Sequence, residues 1–105
     1  MASLDMFFND DPVSMYSDEI DTEIRTRITL SIYAYAYEYE QHELVSDATY
    51  DKLSYLINPN METRNFMVDK FFREQFGPET GMWICRHPEL DKIKDLYNKY
   101  FKPKE

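Results

Sequence analysis

Residues 18–40 read DEIDTEIRTRITLSIYAYAYEYE, and whether this run is helix or strand decides the fold. Ile20, Ile24, Ile28, Ser31 or Ile32, Tyr35 and Tyr39 recur at spacings of three and four, the period of one helical face. Against that, Tyr33, Tyr35, Tyr37 and Tyr39 alternate strictly, and Ile-Thr-Leu-Ser-Ile-Tyr suits a sheet. The interleaved Ala34, Ala36, Glu38 and Glu40 are helix formers and settle the choice on a helix over 18–40. Asp18, Glu19 and Asp21 then lie in the first turn, where the helix dipole favours anions. On a helix, two residues advance about 200° and four return to nearly the same side. The tyrosines therefore split, with Tyr35 and Tyr39 extending the isoleucine stripe and Tyr33 and Tyr37 facing away with Leu30.

Downstream, Ser46 is a good N-cap and Asp47 enters a first turn, which predicts a helix over 46–57 with Leu53, Leu56 and Ile57 inward. Asn58-Pro59-Asn60 stops it. Asn60 is the expected cap of a helix over 61–76, carrying Phe66, Met67, Phe71 and Phe76 on its apolar side, and Gly77-Pro78 ends it. Trp83 reads as a core plug. His87-Pro88 opens a last helix over 88–101, with Leu90, Ile93, Leu96, Tyr97, Tyr100 and Phe101 buried and its charges solvated. The fold class is thus all-α, a small bundle of about four helices in one domain, 18–105, preceded by an irregular arm, 1–17. With 105 residues there is room for a single core.

Charge is uneven: residues 1–23 hold seven acids and no base, whereas the other 82 residues hold thirteen acids and twelve bases. The arm also carries Met6, Phe7, Phe8, Asp10 and Asp11, an acidic segment with large apolar side chains of the kind that docks on partners. Binding to a nucleic-acid backbone is disfavoured, because it needs clustered lysine and arginine. A lone cysteine, Cys85, precludes an internal disulfide and is expected to be a buried, inert thiol. With no apolar run of membrane length or targeting segment, the expectation is a cytoplasmic protein without a membrane.

The chain carries few residue patterns that support chemistry. Glycine stands only at 77 and 81, so no phosphate-cradling loop can form. His42, Cys85 and His87 lack metal-ligand spacing. No catalytic or metal-binding residue is assigned, and the chain is expected not to be an enzyme. Asp47 and Asp51, four apart with Tyr50 beside them, make one carboxylate face, which the helix dipole alone also explains.

The run Tyr35-x-Tyr37, a short connector, then Ser46-Asp47-Ala48-x-Tyr50-Asp51-Lys52-Leu53 resembles the N-terminal helical (Ia) domain of bacterial NAD-dependent DNA ligases, over about residues 24–57. In that family the domain clamps the nicotinamide mononucleotide half of NAD. The resemblance implies a non-catalytic binding protein with nicotinamide mononucleotide or NAD as ligand and with Tyr37, Asp47, Tyr50 and Asp51 as contacts. Tyrosine faces and carboxylates suit a cationic nicotinamide ring. Glu38 stands where the family usually has histidine, and no lysine is followed by x-Asp-Gly, the ligase nucleophile motif. The alternative is an acidic, phage-type accessory or inhibitor protein that grips a host protein, as a nucleic-acid mimic or otherwise. Its surface would comprise Phe7, Phe8, Asp10, Asp11, Tyr33, Glu38, Glu40 and Glu43.

Overall fold

A computed structural model describes residues 18–103. Phe7, Phe8, Asp10 and Asp11, and the arm they belong to, lie outside the described residues. Four α-helices follow one another: α1 (Asp18–Glu40), α2 (Asp47–Leu56), α3 (Phe66–Gln75) and α4 (Leu90–Tyr100), with a 3₁₀ turn, Met82–Arg86, between α3 and α4. No strand occurs among the described residues, and the class is a small all-α bundle. None of the described helices is long and apolar enough to cross a membrane.

The helix α1 is the axis of the bundle, packed by α2, the 3₁₀ turn and α4. Between Thr29 and Ala36 only Tyr33 escapes full burial. The expected single stripe is therefore corrected: Leu30 belongs to the core with Ile32, whereas Tyr39 is half exposed. A helix surrounded on most sides has no wet face to keep polar. Its buried hydroxyls close locally, Ser31 donating to the Arg27 carbonyl (2.7 Å) and Thr29 to the Arg25 carbonyl (2.6 Å).

Arg27 is the buried hub of this axis. Its guanidinium donates to Glu23 Oε2 (2.7 Å), Asp69 Oδ1 (2.8 Å) and the carbonyls of Asn58 (2.9 Å) and Met61 (3.0 Å). It also lies over the Phe72 ring, 4.8 Å from the centroid. One side chain thus joins α1, the α2–α3 connection and α3.

That hub explains why α3 starts late. The Asp69 carboxylate accepts from the Thr63 backbone N–H (2.7 Å) and hydroxyl (2.6 Å), and Arg64 takes φ 73°, so residues 61–64 wrap around Asp69 instead of coiling. Asn65, not Asn60, is the cap, accepting from the Val68 N–H at 3.2 Å. The last helix is also shortened. His87 Nδ1 accepts from the Glu89 N–H (2.9 Å) and the His87 carbonyl from the Leu90 N–H (3.3 Å), so Pro88 and Glu89 form a turn ahead of the helix.

Phe71, Phe72 and Phe76 surround Trp83, with ring centroids 5.2 to 6.0 Å from it, and Trp83 is the expected plug. Besides Tyr39, four side chains expected inside are outside: Leu56, Phe66, Met67 and Cys85. Leu56 ends α2 beyond its contact with α1, and Phe66 and Met67 stand on the first turn of the delayed α3. Cys85 lies on the 3₁₀ turn next to buried Ile84, its Sγ toward the Met82 carbonyl at 3.4 Å.

Candidate functional site

A cavity of about 330 Å³ opens where the end of α1 meets the start of α2. From α1 come Tyr33, Ala34, Tyr37 and Glu38, two pairs one turn apart that share a face. The connector supplies Glu43, Leu44 and Val45, and α2 supplies Asp47, Tyr50 and Asp51. The far wall is Glu79, Thr80 and Gly81, the segment entering the 3₁₀ turn.

Local rules place the first two walls. The helix α1 stops because Gln41 takes φ 51° and the His42 N–H returns to the Ala36 carbonyl (2.9 Å). His42 Nδ1 then shares a hydrogen bond with the Tyr97 hydroxyl (2.9 Å), which anchors the connector to α4. Ser46 restarts the helix by accepting from the Thr49 N–H (3.2 Å). The turn between two helices therefore forms the floor.

The third wall is tied on by α2. Tyr50 donates its hydroxyl to the Thr80 carbonyl (2.8 Å), and the same oxygen accepts from the Trp83 indole at 2.6 Å. Ser54 accepts from the Glu79 N–H (3.1 Å), and the Tyr55 hydroxyl donates to the Glu79 carboxylate. Glu79 is held at φ 64°. Gly81 passes so close to α1 that an added Cβ would come within 3.3 Å of Ala34 Cβ and 3.5 Å of the Tyr50 hydroxyl.

Burial raises the Tyr50 pKa well above the usual tyrosine range, the neighbouring polar indole N–H of Trp83 opposes the rise, and the nearby Glu38 and Asp51 carboxylates add to it. Burial also raises that of Tyr33, whose ring meets Phe101 edge-on at 6.5 Å. Both are neutral phenols at physiological pH. Among the described residues, the charged side chains lining the cavity are all acids: Glu38, Glu43, Asp47, Asp51 and Glu79. The last turn of α1 contains no base to offset its carbonyl ends. Chemically the cavity is a cation-attracting cleft with aromatic walls.

All four residues implied by the resemblance, Tyr37, Asp47, Tyr50 and Asp51, line this one cavity, together with Tyr33, Glu38 and Glu43 from the acidic surface. Glu40 does not. It accepts from the Tyr35 hydroxyl (2.7 Å), whose ring stacks on Tyr39 at 5.2 Å, away from the opening. Sequence reasoning missed Glu79, Thr80 and Gly81. The one local signal for them is Gly81, a glycine beside the Trp83 segment, which permits a close backbone approach. Among the described residues no group of three or more His, Cys, Asp or Glu side chains is placed to hold a metal ion. Compared with known proteins, the chain matches no family model, no curated protein and no solved structure.

Proposed function

We propose that the chain is a non-catalytic binding module, similar to the Ia domain of NAD-dependent DNA ligases, whose cavity takes the nicotinamide end of a nucleotide such as nicotinamide mononucleotide or NAD. The observation that carries the reading is that Tyr37, Asp47, Tyr50 and Asp51, drawn from two helices, line one cleft. Tyr37 offers a ring face to the pyridinium, the carboxylates offset its charge, and Tyr50 holds the opposing wall. The exposed free thiol of Cys85 suits a reducing, cytoplasmic setting. Titrating the protein with nicotinamide mononucleotide and with NAD, by calorimetry or ligand-observed NMR, tests the reading. Saturable binding that is lost in Asp47→Asn, Asp51→Asn supports it, and no binding at millimolar ligand removes it.

A second reading draws on a different observation, the exposure of Tyr37, Glu38, Tyr39 and Glu40 on consecutive positions at the end of α1. Exposed tyrosine among acids suits a basic surface on a protein partner, as for a phage-type accessory or inhibitor protein. Pull-down with the full chain tests this. Capture that is lost on reversing the charges between 38 and 51, or on deleting 1–17, supports it, and capture unchanged in both variants removes it.

A further inference from the structure

We infer that the cavity prefers a nicotinamide cation without a phosphate, so that an N-substituted pyridinium carrying a neutral tail binds more tightly than nicotinamide mononucleotide does. The inference rests on the nicotinamide reading above and specifies which form of that ligand binds. Five acidic residues line the cavity, Glu38, Glu43, Asp47, Asp51 and Glu79, and among the described residues no lysine, arginine or histidine lines it. A phosphate monoester adds between one and two negative charges near neutral pH. Each carboxylate within several Å opposes that charge, while each one favours the ring cation.

The one feature of the cavity that ordinarily attracts a phosphate is the N-terminus of α2. That end is already served from within the chain. Ser46 Oγ accepts from the Thr49 N–H at 3.2 Å, and Asp47 places its own negative charge in the first turn. The other helix end at the cavity is the C-terminal end of α1, where the dipole is negative and the last turn supplies Glu38 to the lining and contains no base. An anionic tail thus meets like charge at both ends, and a neutral ribosyl or alkyl tail meets none.

The test uses three probes on the full chain: nicotinamide riboside, a cation without phosphate; nicotinamide mononucleotide, the same cation with it; and nicotinamide, the uncharged ring. The riboside binds at least about tenfold more tightly than the mononucleotide, and nicotinamide binds more weakly than the riboside by a similar factor. Glu38 is exposed, so Glu38→Arg keeps the fold while it narrows or inverts the riboside preference. Equal or tighter binding of the mononucleotide by the unaltered protein overturns the phosphate discrimination and leaves the nicotinamide reading standing. Equal binding of nicotinamide and the riboside overturns the requirement for a cation. If none of the three binds at millimolar concentration, the nicotinamide reading falls, and this inference with it.

Discussion

Tyr50 and Thr80, thirty positions apart, meet through a 2.8 Å hydrogen bond that closes the third wall of the cleft. Removing the hydroxyl in Tyr50→Phe leaves the Thr80 carbonyl with the Trp83 indole alone. The expected loss is about 1 kcal/mol of global stability. Amide exchange at 79–81 should quicken more than elsewhere, because the wall loses its tie to α2. Chemical denaturation and hydrogen-exchange mass spectrometry measure the two effects, and uniform exchange would refute the tie.

Gly81→Ala asks whether the close approach to α1 is required. The new methyl meets Ala34 Cβ at 3.3 Å on a packed helix that has little freedom to retreat. A cost of about 1–2 kcal/mol is expected, with a lower Tm. An unchanged Tm would mean that the 79–81 segment shifts freely.

Arg27→Met should be far more damaging. It strands the buried Glu23 and Asp69 carboxylates and removes the donor to the Asn58 and Met61 carbonyls. Breaking such a network costs about 3–5 kcal/mol, a large share of the roughly 5–15 kcal/mol that holds a small domain together. Adding Glu23→Gln and Asp69→Asn to Arg27→Met should restore part of the loss, since the stranded charges are then gone. Urea denaturation of the single and triple variants decides this.

Acid sensitivity follows from His87. Burial among aromatic rings pulls its pKa down to about 4 from 6.5, with Glu89 pulling weakly the other way. Between those values the unfolded chain binds a proton that the folded chain refuses, so stability rises with pH across the window and falls on acidification. The full contribution is present above pH 6.5 and amounts to about 3 kcal/mol. Asp69, whose pKa its Thr63 and Arg27 partners hold down against burial, adds a further loss in stronger acid, when its carboxylate protonates. His87→Asn keeps an acceptor for the Glu89 N–H and should flatten the slope between pH 6.5 and 4. Denaturation midpoints over that range check it, and an unaltered slope would point to other groups.

Tyr37→Leu separates binding from folding. Its side chain is 59% exposed, so Tm should stay within about 1 °C while affinity for a pyridinium ligand drops by about 0.5–1 kcal/mol. Calorimetry beside a thermal melt gives both numbers, and a large stability loss would contradict the exposure.

How much of this was legible in the sequence depended on how local each cause was. Ser46 capping α2 and the long α1 were readable because capping and helix formers act within one turn. Spacing also gave two faces, Tyr33 with Tyr37 and Asp47 with Asp51, each pair one turn apart, whereas their meeting in one cleft was implied only by the ligase resemblance. The start of α3 was not readable, because Asp69 captures Thr63 from the following helix while Arg27 holds Asp69 from forty-two positions away. The exposure of Leu56, Phe66 and Cys85 was hidden likewise, as burial depends on which neighbours arrive and apolar character alone does not report them. Glu79 to Gly81 reach the cleft only through the Tyr50 and Ser54 hydrogen bonds, which span 30 and 25 positions.

The Thr80 carbonyl is shared between Tyr50 at the cleft and Trp83, the single tryptophan of the chain. The indole, an environment-sensitive fluorophore, is therefore one acceptor atom removed from the wall of the cleft. A guest that shifts Thr80 alters the polarity felt by the ring, and the protein's own ultraviolet emission becomes a gauge of occupancy that needs no attached dye.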